Sequence, residues 1–267
     1  MAGLTWQFVS APDSIQTTES PIVAATVARL ASVVSGGSID VVSDFARLYL
    51  RRAHDGPLAR LSADELAAHV AGIFQFASER GLNPVSVRVF NPTSDRDGYT
   101  SRGTVVEISM EDKPFLIDSV TGEIQSHGPG VENVVHPVLG TRRDADGALI
   151  AVGAARDAET TESIQHYELD RLLAPSELDA LRDAVTRTLD DVRKAVEDFG
   201  LLKGRVPRMM DYARRAGTRY SEEETESATA FFEWLLDLNF VFLGYREYEI
   251  VEPDGEPNLR VVPDSGL

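Results

Sequence analysis

The residues best placed to do chemistry lie in one turn, Asp112-Lys113-Pro114-Phe115, between a strand-like and a helix-like run. Free amides at a helix start, the helix dipole and the Lys113 ammonium could together hold a small carboxylate. The dipole supplies only about 0.3–1 kcal/mol at an exposed site, whereas millimolar binding requires about 4 kcal/mol. An effector held by Asp112, Lys113, Pro114 and Phe115 would therefore need contacts from a second subunit. The simpler reading, a tight strand-to-helix turn whose Asp112 caps the helix, is favoured.

Other reactive side chains are scattered. Five histidines (54, 69, 127, 136 and 166) invite a metal reading, with His136 and His166 on expected strands and Glu123 and His127 nearby. Zinc needs three or four ligands converging at about 2 Å, and no short-spaced ligand motif occurs, so no metal site is expected. Ser119 and Ser163 with Asp118 and His166 lack the strained elbow of a nucleophile triad. The Gly128-Pro129-Gly130 run is no dinucleotide fingerprint, because proline stiffens it and a strand follows. Lysine occurs only at 113, 194 and 203, on the turn, on a helix-like run and on a linker. No catalytic and no cofactor-binding residues are expected here.

Composition narrows the partners. The 267 residues carry 26 basic and 43 acidic side chains, a net charge of −17. Such a surface repels nucleic acid and anionic membranes, so neither is an expected partner. No run is long enough to span a bilayer, and residues 1–20 show no basic leader with an apolar segment, so no signal peptide is expected. The absence of cysteine removes thiolate chemistry and fits a cytoplasmic protein.

The elements that must position the turn follow from periodicity. Helices are expected over 21–34, over 39–52 and, from a Ser62–Glu65 capping box, over 63–80 with Gly81 as the stop. This helical layer needs a surface to pack on. Val85, Val87 and Val89 alternate with polar residues, as in a half-buried strand. Then come a strand over 104–110, a helix over 114–125 with Pro114 in its first position, a strand over 131–139, a hairpin partner over 149–152 and a strand over 163–169. A long helix over 177–199 carries one apolar stripe (Leu178, Leu181, Val185, Leu189, Val192, Val196, Phe199) and is expected to end at Gly200. A cluster of arginines (205, 208, 214, 215, 219) precedes a Ser221–Glu224 capping box and is expected to form solvated ion pairs with the neighbouring glutamates or an interface. A strand over 240–250, an Asp254-Gly255 turn and a return over 259–262 close the chain.

The core order, β, α, β, hairpin strand, β, α, is close to a ferredoxin-like split βαβ plan: α+β, an antiparallel sheet with helices on one face. Gly103 to Val120, GTVVEISMEDKPFLIDSV, resembles the opening of an ACT-type domain, where a strand ends in an Asp-Arg-Pro-Gly-like turn. Further pieces are His136-Pro-Val-Leu139 with Arg143-Asp144, Glu162-Ser163 with Glu168-Leu-Asp-Arg171, and Asn239 to Tyr248. In this order they resemble the N-terminal part of the large bacterial NAD-specific glutamate dehydrogenases.

The resemblance implies a non-catalytic assembly or regulatory region of an enzyme that uses NAD elsewhere in its chain. The expected partners are the other domains of that chain, further copies in a homo-oligomer and an amino-acid effector. The expected organisation is a helical segment (1–82), an ACT-like domain (83–200), a helical connector (201–238) and the start of a second module cut short (239–267). The alternative is a free-standing amino-acid-sensing ACT module. One departure stands out: Phe115 replaces the usual Gly of the turn, so its side chain is expected to fill space or point into the core and close the pocket.

Overall fold

A computed structural model describes residues 20–34, 39–51, 57–215, 219–252, 256–263 and 265–266. Three helices come first, α1 (Pro21–Val33), α2 (Ile39–Leu50) and α3 (Ala63–Glu79). The start of α3 is set locally. Ser62 Oγ accepts from the Glu65 amide, and the Glu65 carboxylate accepts from the Ser62 amide at 2.9 Å, a complete capping box. The sheet follows: β1 (Val85–Phe90), the short turn α4 (Ser94–Asp97), β2 (Val105–Glu111), α5 (Leu116–Ser126), β3 (Val131–Val135), β4 (Val138–Arg143), β5 (Leu149–Ala154) and β6 (Thr161–Leu169). Helices α6 (Pro175–Arg215) and α7 (Glu222–Trp234) lead to a separate hairpin, β7 (Tyr248–Val251) with β8 (Asn258–Val261).

The sheet order is β1-β2-β6-β4-β5, every neighbouring pair is antiparallel, and β3 lies along β6 beyond β4. The expected strand over 131–139 is thus two, broken at His136-Pro137. Register is kept across the break, with Val135 opposite His166 and Val138 opposite Ser163. Proline has no amide hydrogen to give the ladder, while its carbonyl still accepts from Ile164 at 3.2 Å. The β4–β5 turn needs Gly147: its φ is +84°, and an added Cβ would stand 2.5 Å from the Gly81 carbonyl carbon.

Helices cover both faces of the sheet, not one. Val106, Ile108 and Met110 of β2, with Tyr167 and Leu169 of β6, bury against Leu116, Val120 and Ile124 of α5 and Leu181, Val185 and Leu189 of α6. Ile164, Val135 and Leu139 emerge on the other side and pack into α1–α3, among Phe45, Leu66, Val70 and Ile73. The N-terminal helical layer therefore finds its partner surface in the sheet face that the periodicity leaves open.

Two further expectations are corrected. Helix α6 does not stop at Gly200 but continues through Gly204 and Pro207 to Arg215. Glycine costs a helix only about 1 kcal/mol, and Leu202, Val206 and Met210, at helical spacing, are buried beyond it. The expected strand over 240–250 shrinks to Tyr248–Val251, because Phe240 to Glu247 have no neighbouring strand among the described residues. The Asp254-Gly255 turn lies outside the described residues. No helix among them is long and apolar enough to cross a membrane.

Candidate functional site

Strand β2 delivers the chain to the turn with Glu111, and the Asp112 amide still donates to the Thr161 carbonyl at 2.9 Å. The helix then begins two residues later than Pro114 at its first position would require. Its N-cap is Phe115, in the left-handed conformation (φ 71°, ψ 4°), and no side chain caps it. The Phe115 carbonyl accepts from the Ser119 amide at 3.1 Å, the first bond of α5. Asp112 is therefore not the cap; burial raises its carboxyl pKa, with His136 pulling the other way. Lys113 Nζ lies 3.1 Å from a Glu111 carboxylate oxygen, and Asp118 sits in the first turn of α5.

Phe115 occupies the backbone conformation that glycine adopts freely, at a cost of about 1–2 kcal/mol for an L-residue, and it is the only such non-glycine residue among those described. Its ring does not enter the core: Phe115 is 53% exposed. It stands at the edge of an open apolar groove of about 750 Å³, walled by Pro114, Val196, Phe199, Phe240 and Leu243. The groove explains why the α6 stripe is only partly covered, with Leu181, Val185 and Leu189 buried while Val196 and Phe199 remain half-exposed.

A second cluster lies outside the sequence expectations. Glu107 of β2 and His166 of β6 stand opposite each other in register on the α3 side of the sheet, with His69 of α3 above them. His166 Nδ1 is 3.2 Å from Glu107 Oε1, and Arg88 Nε donates to Glu107 Oε2. The His69 and His166 rings meet edge to face, with centroids 4.6 Å apart. Tyr49 Oη lies 3.0 Å from His69 Nε2.

Burial and charge act differently on the three. Burial and the neighbouring His166 push His69 down to about 3, so it is neutral. Burial would lower His166, but the Glu107 bond and the Glu107 and Glu168 carboxylates outweigh it and raise its pKa. Burial would raise Glu107, but His166 and Arg88 hold it down at about 2. One ligand atom from each of His69, Glu107 and His166 lies within 4.8 Å of the others, a trio of metal-binding type. Glu107 already accepts from Arg88 and contacts His166, so a divalent ion would have to displace those partners and add charge to a buried site.

The histidine pairings expected from strand adjacency differ. His166 meets Glu107 and His69, whereas His136 Nε2 lies 2.7 Å from Ser163 Oγ. His127 stays at the surface beside Glu123, and His54 lies outside the described residues. Ser163 and His166 point to opposite sheet faces, so the serine triad is not assembled. The sequence signal for His69 is its place in α3 among buried Leu66, Val70 and Ile73. The arginines pair differently as well: Arg208 is 3.8 Å from Glu247, Arg214 is 3.4 Å from Asp211, and Arg205 lies over the Tyr245 ring at 5.2 Å.

Two of the pieces that carry the resemblance meet in space, through Arg143 and Glu162. Arg143 Nη2 and Nε donate to the two Glu162 oxygens at 2.7 Å, and Arg80 Nη2 completes the pair at 2.8 Å. Comparison with known proteins bears the resemblance out. A family model described as the glutamate dehydrogenase ACT1 domain matches residues 45–185. An NAD-specific glutamate dehydrogenase of Pseudomonas aeruginosa is 35% identical over 173 residues, covering 63% of this chain and 11% of the relative. One of Halomonas elongata is 30% identical over 243 residues, covering 90% of this chain and 15% of the relative. One of Mycobacterium tuberculosis is 22% identical over 200 residues, covering 73% and 12%. The chain thus aligns with only 11–15% of the length of the curated relatives it matches.

Proposed function

Because the chain belongs to the glutamate dehydrogenase ACT1-domain family, we propose that it is the non-catalytic N-terminal region of a large NAD-dependent glutamate dehydrogenase, serving assembly and control. The parent reaction is the oxidation of L-glutamate with NAD and water to 2-oxoglutarate, ammonium and NADH. NAD is bound by other domains of that chain, and the enzyme is a cytoplasmic homo-oligomer. The matched segment runs from within α2 to within α6, so it takes in α3, the six strands β1 to β6, α5 and the first part of α6. We read β2, α5, β3 with β4, β6 and α6 as the ferredoxin-like, ACT-type plan; the antiparallel order, with β1 in the edge place beside β2, supports that reading.

The observation that carries the assembly reading is the groove behind Phe115. A contiguous exposed apolar surface marks an interaction site, and here a strained residue holds its ring at the rim. Anion capture at the same turn has less support, since Glu111 engages Lys113 and Asp118 adds a second negative charge. The test is made in the full-length dehydrogenase with Phe115→Ser combined with Leu243→Ser. We expect a smaller particle by light scattering, or a changed dependence of rate on glutamate. Unchanged mass and unchanged kinetics would sink the assembly reading, and NAD reduction by the purified 267-residue chain would overturn its non-catalytic part.

A further inference from the structure

On the face of the sheet away from the groove, a cavity of about 380 Å³ opens between α3, β1 and the α4 turn. That volume lies at the small end of ligand pockets, which run from about 300 to 1,000 Å³. Its walls carry four organised polar side chains. The Arg88 guanidinium is held between the Phe76 ring at 4.8 Å and the Phe90 ring at 4.9 Å, and tied to Glu107. Arg96 lies over Phe90 at 5.9 Å and donates to Asp97 at 2.9 Å. His69 and Tyr99 complete the polar lining, and both are buried, at 1% and 3% exposure.

Two hydrogen-bonding atoms here are unspent. His69 Nδ1 and Tyr99 Oη have no partner among the described residues. Tyr49 Oη has one partner, His69 Nε2. We assign the hydroxyl as donor in that pair, because the opposite tautomer would strand the hydroxyl hydrogen. The hydrogen of the neutral imidazole then sits on Nδ1, so both unspent groups are donors. Buried donors of this kind are normally satisfied.

The helix above the cavity departs from good helix design in the same place. Gly72 sits in the middle of α3, where alanine would be the better helix former. A Cβ built there would reach Arg88 Nη2 at 3.7 Å, an ordinary contact, so space over the arginine and not backbone strain distinguishes the position.

We propose that this cavity binds a small carboxylate, whose oxygens take the His69 Nδ1 and Tyr99 Oη hydrogens and face the Arg88 guanidinium. Asp97 and Glu79 at the wall would additionally receive an ammonium group if the ligand carries one. As a control site the cavity rests on the regulatory reading above; as a binding site it does not.

The test is calorimetric titration of the 267-residue chain, with melting temperature as a second readout. The probes are acetate, succinate, glycine, L-glutamate and inorganic phosphate at millimolar concentrations. At least one carboxylate is expected to bind and raise the melting temperature. Succinate binding as well as glutamate would identify a plain carboxylate site, and glutamate or glycine binding without succinate would identify an amino-acid site. Tyr99→Phe should weaken the bound ligand about tenfold. Gly72→Leu should abolish binding while folding at least as well as the parent chain, since leucine favours helix. Lys113→Ala should leave binding unchanged.

No heat and no melting shift with any carboxylate would overturn the proposal. So would binding that survives Gly72→Leu, or binding of phosphate alone. Binding to this chain without an effect on the rate of the full-length dehydrogenase would keep the site and remove its regulatory use. Regulation of that enzyme by a carboxylate that this chain does not bind would remove the site and keep the regulatory reading.

Discussion

The same two strands present opposite chemistry to their two sides. Toward α5 and α6, β2 and β6 send Val106, Ile108, Met110, Tyr167 and Leu169 into hydrocarbon. Toward α1–α3, the alternate positions send Glu107, Glu162, His166 and Glu168, all of them buried. An apolar face gains stability from area and is indifferent to pH. A buried ionic face gains little net stability, because desolvation offsets attraction, yet it strongly penalises the loss of one partner. The α5–α6 layer is held mainly by apolar contact, whereas the α1–α3 layer adds buried ion pairs to an apolar core, so variants on each face should behave differently.

The largest effect is expected on the ionic face. Glu162 is 2% exposed and accepts from Arg143 and Arg80, whose side chains are 12% and 9% exposed. Glu162→Ala leaves two buried guanidiniums unpaired, and about 3–5 kcal/mol of stability should be lost in urea unfolding. Arg143 also donates to the Ala77 carbonyl at 2.8 Å, so α3 should loosen from the β4–β5 hairpin. A loss below about 1 kcal/mol would mean that the pair adds nothing beyond a surface bridge.

Next comes Ile108→Ala on the apolar face, fully buried between β2 and α5–α6. About 2–5 kcal/mol should be lost, from transfer plus the residual cavity. The comparison is sharpened by repeating both measurements across pH. The Ile108 variant should lie below the parent chain by a constant amount, and a difference that changes with pH would break the contrast between the faces.

The third effect is the pH dependence itself. His69 has its folded pKa depressed to about 3, so its contribution is complete above the ordinary histidine value of about 6.5 and is lost as pH falls toward 3. Glu107, held at about 2, contributes above about 4.5 and is lost on further acidification. His166 is raised, so its contribution is complete below about 6.5 and is lost as pH rises through its folded value. Stability should therefore decline on both sides of neutrality. His69→Gln should flatten the decline between about pH 6.5 and 3 in thermal melts. An unaltered slope would show that surface carboxylates, not the buried cluster, set the acid limb.

Period-two alternation distinguishes the two faces of a strand but not what covers them, and that limit decides how much can be read in advance. Val85, Val87 and Val89 announce β1, and the two Ser–Glu capping boxes set the starts of α3 and α7. Glu107 and His166, as polar residues on strands, carry no sequence sign of burial, and the element order alone leaves the sheet with one covered face. Their burial is a tertiary fact, supplied by α1–α3, helices that precede both strands and are separated from β2 by β1 and the α4 turn. The turn at 112–115 is legible as a turn. What escapes is that Phe115 takes the left-handed conformation itself, because side-chain identity argues against φ > 0 and only the surrounding structure can impose it.

That residue gives the smallest effect and the cleanest separation of stability from use. Phe115→Gly removes the left-handed strain of about 1–2 kcal/mol, while the freer unfolded chain takes back about 0.4–1 kcal/mol. The half-exposed ring contributes little packing, so the isolated chain should be unchanged or more stable by up to about 1.5 kcal/mol, the difference of those terms. If strain at the turn exists to hold an aromatic ring at the groove rim, the Phe115→Gly variant of the full-length enzyme should nevertheless assemble less tightly. A stabilised chain with undiminished assembly would make Phe115 an incidental cost and would move the interaction surface elsewhere along Phe240 to Leu243. A destabilised chain would place the ring's packing above its strain, and the apolar face would then extend to the turn instead of ending at the groove.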